Sequence, residues 1–213
     1  MNKKIGVLLP FKDHFTRSKA GSASIWIKDF NIKSSYKKNI YVCGITDNLK
    51  DVIEKKNYLN IKFSESTFQS KNTLYIDEFI KINSKHKFEL IEVHNRPSYI
   101  HRLIKKEINS KLVLIFHNNP LNLGGSKSIE ERNILIDKCE KLIFVSNWVK
   151  EKFFKDLDRR DNANCIVIYP SIETLKKFPV KQNVISFVGK LNRSKGFHLF
   201  GSVVVRILNK YTS

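Results

Sequence analysis

Cysteine is scarce in this chain: Cys43, Cys139 and Cys165 are scattered over 213 residues. Their number is odd, no CxxC pair occurs, and no cysteine–histidine cluster has zinc spacing, so a disulfide framework and a structural zinc are both excluded. The three read as reduced thiols of a cytosolic protein. No run of about 18 apolar residues is present, so no segment reads as a membrane span. The basic start MNKKIGVLLPF carries too short an apolar run before Lys12 and Asp13 for a signal peptide, and reads as a first strand. The dinucleotide fingerprint GxGxxG is missing, which argues against a nicotinamide dehydrogenase, and so is the GxxxxGK[ST] phosphate loop. Acidic residues are few: 20 Asp and Glu stand against 39 Lys and Arg, for a formal net charge of +19.

What is present suffices for a core. Hydrophobic residues make up 41% of the chain and aromatics 11%, so burial can offset the ordering entropy. The positive charge admits two readings. Basic proteins attract phosphates, whether on nucleic acid, on anionic lipid or on metabolites. Yet lysine far exceeds arginine, and Asn, Ile and Ser are abundant, which is the composition an AT-rich genome writes by default. Nucleic acid is not an expected partner, because no helix has a continuous basic stripe and no RNA or DNA motif occurs.

Apolar runs of strand length recur at Ile5–Leu9, Asn39–Cys43, Phe88–Val93, Leu112–Phe116, Lys141–Val145 and Cys165–Ile168, with a weak extra strand at Ile61–Phe63. Amphipathic stretches lie between several of them: Ser22–Lys33, Leu74–Ile82 and Tyr99–Ile108. Unbroken apolar strands alternating with helices predict an α/β fold, a Rossmann-like, doubly wound, mainly parallel sheet. Residues 1–170 form this domain. Residues 171–183, with two prolines and no clear period, read as a linker. Residues 184–213 begin another β–α unit, with a strand over Val184–Val188 and a helix opening after Lys195-Gly196.

Ligands of such sheets bind beyond the carboxyl ends of the strands. The loop after the first strand ends at Gly21 and Ser22, where small residues let backbone N–H groups approach an anion or a sugar at a helix N-terminus. The next informative strand end is IEVHNRP, where His94, Asn95 and Arg96 precede Pro97. VLIFHNNP repeats that design with His117, Asn118 and Asn119, and Gly124-Gly125 are expected to make the following loop mobile. In IFVSNWV, Ser146 follows the strand and Asn147 is the expected helix cap. Near the end, Gly189 is followed by Lys190, Arg193 and Lys195, cations that repel one another unless an anion such as a diphosphate sits between them.

These six pieces, in order, resemble glycosyltransferase family 4, whose members have the GT-B fold: the Gly21 loop, IEVHNRP, VLIFHNNP, IFVSNWVKEKF, CIVIYPSI and VGKLNRSKGF. The resemblance covers nearly the whole chain. It implies two Rossmann-like domains facing a cleft, an N-terminal one that binds the acceptor and a C-terminal one that binds a nucleotide-sugar. Sugar transfer would retain the anomeric configuration and need no metal and no other cofactor. By resemblance, His117 contacts the transferred sugar as the catalytic histidine. Gly21 and Ser22 lie near the donor phosphates, and Gly189, Lys190 and Lys195 meet the leaving diphosphate. His94, Asn95, Arg96 and Asn118 line the acceptor side. Lys190 stands where the family often has arginine, which keeps the charge and loses the bidentate fork.

The resemblance further implies a nucleotide-sugar as donor and a glycan or lipid-linked acceptor in cell-envelope polysaccharide or lipopolysaccharide synthesis. The place would be cytoplasmic, peripheral on the inner face of the membrane, where anionic lipid is a further partner. The family's paired glutamates, about seven residues apart, lie far into the second domain, beyond residue 213. The sequence therefore predicts an incomplete second domain, inactive alone: a truncated gene, an incomplete sequence, or half of a split enzyme completed by a separate C-terminal domain. A non-catalytic module that binds glycan or a partner is the alternative.

Overall fold

The computed structural model of the chain describes residues 3–64, 68–159, 163–171, 180, 182, 184–189 and 191–211. The chain divides into two units, Met1–Glu173 and Thr174–Ser213.

In the first unit, seven strands form one sheet among the described residues: β1 (Ile5–Leu8), β2 (Ile40–Gly44), β3 (Tyr58–Asn60), β4 (Leu90–His94), β5 (Lys111–Phe116), β6 (Lys141–Phe144) and β7 (Cys165–Val167). Their order is β3-β2-β1-β4-β5-β6-β7, and every pair is parallel. The chain builds outward from β1 through β2 to β3, then crosses back to set β4 on the other side of β1. The crevice between the carboxyl ends of β1 and β4 is thus the switch point of the sheet.

Helices α1 (Ser22–Lys33), α2 (Lys71–His86), α3 (Pro97–Lys105), α4 (Ile129–Lys138) and α5 (Asn147–Phe154) connect the strands. The alternation of each strand sorts its apolar residues between two cores. One gathers Leu8, Cys43, Ile91, Val93, Leu114, Phe116 and Phe144 with Tyr75, Phe79, Leu103, Leu135 and Phe153 of α2 to α5. The other joins Val7, Leu9, Ile40 and Val42 to Ile27 of α1, with Phe15 and Val52. Burying a side chain such as Phe144 contributes roughly 1.5–3 kcal/mol. All three cysteines are buried and none forms a disulfide. Burial pushes the Cys139 thiol up to about 12.

The expected strands appear with shifted ends. β3 occupies Tyr58–Asn60, not Ile61–Phe63. Asn60 accounts for the shift: its side chain accepts from Thr46 N–H (2.9 Å) and donates to Thr46 O (3.1 Å), which ties the chain to the turn after β2. α4 went unread in the sequence, although SIEE forms a capping box between Ser128 and Glu131. α5 is capped by Ser146, whose hydroxyl accepts from Val149 N–H, while Asn147 is the first helical residue.

In the second unit the expected helix forms as α6 (Phe197–Tyr211), entered through Gly196 at φ 77°. The expected strand over Val184–Val188 does not form, and its residues are mostly exposed. An isolated strand leaves its backbone groups to water, so without a neighbouring strand nothing holds it extended. Phe187 packs against Phe197 and Phe200 instead, with ring centroids 5.6 and 5.5 Å apart.

Candidate functional site

The sheet places its chemistry at the carboxyl ends of β1, β4 and β5. His94 is the last residue of β4 and is completely buried. His117 follows β5, the next strand over, and is half-buried. His94 Nδ1 lies 2.9 Å from His117 Nε2, and the two rings meet edge to edge and nearly coplanar, with centroids 5.2 Å apart. On its far side, His94 Nε2 lies 2.7 Å from Glu92 Oε1. Trp26 of α1 meets both imidazoles edge-on, at 5.3 and 5.7 Å between centroids. Burial, with the adjoining His94 ring, lowers the His117 pKa to about 3, so His117 is a neutral ring at physiological pH.

Asn95 holds this arrangement in register. Its backbone is left-handed (φ 54°), and its N–H donates to Ile115 O at 2.7 Å. Its side-chain oxygen accepts from both His117 N–H and Asn118 N–H, each at 3.2 Å. The expected acceptor ligand therefore has its oxygen engaged in fixing the backbone beneath His117. Arg96 precedes Pro97 at the start of α3 and donates from Nη1 to Asn95 O (2.9 Å). Asn118, next to His117 in the chain, is exposed.

The glycine pair is not loose. Ser98 N–H donates to Gly124 O at 3.1 Å, and His101 Nε2 donates to Gly125 O at 2.7 Å. The loop is thereby pinned to α3, against the expectation of mobility.

Gly21 caps α1, and Ser22 is the first helical residue, as the sequence predicts. The cap, however, already faces a carboxylate. Asp13 Oδ1 accepts from Gly21 N–H at 3.0 Å and from the Ser24 hydroxyl at 2.7 Å. A negative side chain is favourable at a helix N-terminus. A phosphate reaching Gly21 would meet it as a like charge.

The sequence-predicted residues thus fall into separate groups. Gly21, Ser22, His94, Asn95, Arg96, His117 and Asn118 all lie at strand ends or helix starts of the first unit. Gly189 and Lys195 belong to the second unit, where both are exposed and Lys195 closes a short 3₁₀ turn capped by Asn192. Lys190 lies outside the described residues. Sequence reasoning missed Glu92, Trp26 and Asp13. Glu92 had a signal, a carboxylate inside an apolar strand two residues before a histidine; Trp26 and Asp13 had none. Among the described residues, no group of three or more His, Cys, Asp or Glu is placed to hold a metal ion. No helix among them is long and apolar enough to cross a membrane.

No protein-family model matches the chain. Over 142 residues it is 27% identical to a Bacillus subtilis (strain 168) protein named "Putative glycosyltransferase YtcC", a match covering 58% of this chain and 35% of that one. Anabaena Alr3699/HepE, solved in complex with UDP-glucose, superposes with a TM-score of 0.56 at 16% identity, over 79% of this chain and 44% of its own. A glycosyltransferase of Rickettsia africae ESF-5 superposes with a TM-score of 0.54 at 19% identity, over 79% and 43%. The chain spans less than half the length of each of these relatives. Its fold is the Rossmann-like α/β fold of GT-B glycosyltransferases.

Proposed function

We propose that this chain is the acceptor-side part of a retaining, family 4-like glycosyltransferase. It would act on a nucleotide-sugar donor and a glycan or lipid-linked acceptor, in the synthesis of cell-envelope polysaccharide or lipopolysaccharide. The observation that carries the reading is the pair His94–His117 at the carboxyl ends of adjacent strands, beside the switch point and against Trp26 of α1. In this reading His117, neutral and half-buried, hydrogen-bonds the sugar undergoing transfer. Asn118 and Arg96 border the acceptor. The leaving diphosphate is met by cations of the second unit, Lys190 and Lys195, in place of a metal, and the positive charge of the chain favours a cytoplasmic site against anionic lipid.

One observation favours the second reading, a non-catalytic module that binds glycan or a complementing chain. The described residues around Gly189 and Lys195 are exposed and form no strand, so within them nothing fixes a diphosphate.

A titration separates the two. The 213-residue chain is titrated with UDP-, GDP- and ADP-sugars and with oligosaccharide acceptors, while resonances of His94, His117 and Asn118 are followed. Shifts in the wild type that vanish in H117A support the site. Release of nucleoside diphosphate with acceptor present supports transfer, and binding without release supports the module. Unmoved strand-end resonances with every compound would sink both readings.

A further inference from the structure

Glu92 has no part in the function proposed above, yet its position is unusual. It lies inside β4, where parallel strands ordinarily carry apolar side chains, and only 17% of its side chain is exposed. The two-residue period of a strand puts it on the same face as His94. A carboxylate, a fully buried imidazole and a second imidazole then form one line, with contacts of 2.7 and 2.9 Å.

The protons along that line follow from the acceptor at its end. A carboxylate 2.7 Å away requires a proton on His94 Nε2. A neutral His94 then holds a lone pair at Nδ1, which can only accept. His117 Nε2, facing that lone pair, must donate. A neutral imidazole has one ring proton, so His117 Nδ1 is left as an acceptor.

We propose that Glu92 is a positioning residue: acting through His94, it fixes His117 in its Nε2–H tautomer and so presents His117 Nδ1 as a hydrogen-bond acceptor for a hydroxyl group of a bound ligand. The inference rests on the transferase reading only in taking that hydroxyl to belong to a sugar. Without Glu92, His94 is free to carry its proton on Nδ1. His117 Nε2 then accepts, its Nδ1 becomes an N–H, and the site offers a donor where it had offered an acceptor. Second partners of this kind commonly set which nitrogen of a working histidine is available.

The test uses the chain with ¹⁵N-labelled histidine and no ligand, so its outcome is independent of whether sugar is transferred. Two-bond proton–nitrogen correlations read the tautomer of each of the six histidines, with H94N and H117N providing assignments. In the wild type at neutral pH, His94 and His117 are both expected as Nε2–H, with a nitrogen–nitrogen coupling across their hydrogen bond. In E92L, the two His117 nitrogen shifts should converge towards each other as the tautomers mix. E92Q, whose amide oxygen can still accept, should restore the wild-type pattern. A wild-type His117 carrying Nδ1–H, or a doubly protonated His94, would overturn the proposal, as would an unchanged His117 in a folded E92L. If E92L fails to fold, the wild-type spectrum still decides, because either of those wild-type states is incompatible with the role given to Glu92.

Discussion

Two side chains at the site carry predictions of their own. Asn95 combines a left-handed backbone with a side-chain oxygen that accepts two backbone N–H groups. N95G keeps the backbone freedom and loses the acceptor, at a cost of roughly 1–3 kcal/mol for the unsatisfied donors. N95A adds about 1 kcal/mol for a Cβ in the left-handed region. Urea titration should therefore rank wild type above N95G and N95G above N95A; an N95A as stable as wild type would refute the clamp. His117 predicts a pH dependence. Its folded-state pKa is lowered to about 3 from an ordinary 6.5. Below pH 6.5 the unfolded chain binds a proton that the folded chain refuses until about pH 3, so this group's contribution falls as pH falls through that window. The slope it adds is at most ~1.4 kcal/mol per pH unit. H117N should flatten stability against pH between about 6.5 and 3, and an equal slope in both proteins would count against the buried neutral ring. The histidines themselves were legible in the sequence, because buried strands ran straight into polar side chains. Their partners were less so: nothing in the spacing of Trp26 relates it to residues 94 and 117, which only the packing of α1 on β4 and β5 brings together.

Among the elements, the turn between β5 and α4 is held by a close backbone approach. Gly125 sits at φ 90°, and a Cβ there would lie 2.5 Å from Ser98 N of α3. Backbone cannot yield as a side-chain tip can, so G125A should cost about 1–3 kcal/mol and displace the loop carrying Asn119 and Pro120. At Gly124 a Cβ would meet nothing within 4 Å, and G124A is expected near neutral. Thermal melts of the pair test this, and equal melting temperatures would refute the contact. In the sequence the same two glycines read as a mark of mobility. The conformational freedom of glycine is local, whereas the helix against which that freedom is used comes from elsewhere in the chain.

At the scale of the whole chain, the two units differ in what holds them. The sheet of the first unit is buried on both faces by the cores described above. In the second, Val184–Val188 pairs with no strand among the described residues, and α6 has no buried residue. Backbone hydrogen bonds open easily where few apolar contacts cover them. Amide exchange should therefore be slow in β1, β4 and β5 and fast over residues 184–189 and 191–211; comparable protection in both would contradict this difference.

The sequence by itself determined most of the strands and helices of the first unit, because hydrophobic period is a local property that each segment carries without its neighbours. It determined which strand ends are polar, and so where a candidate site is to be sought. Only the tertiary structure decided that His94 and His117 touch, that Glu92 stands behind them, that Asp13 fills the cap of α1 and that Val184–Val188 stays unpaired. Each of these depends on strand order and register, in which residues far apart in the chain become neighbours, and a strand exists only when another lies beside it.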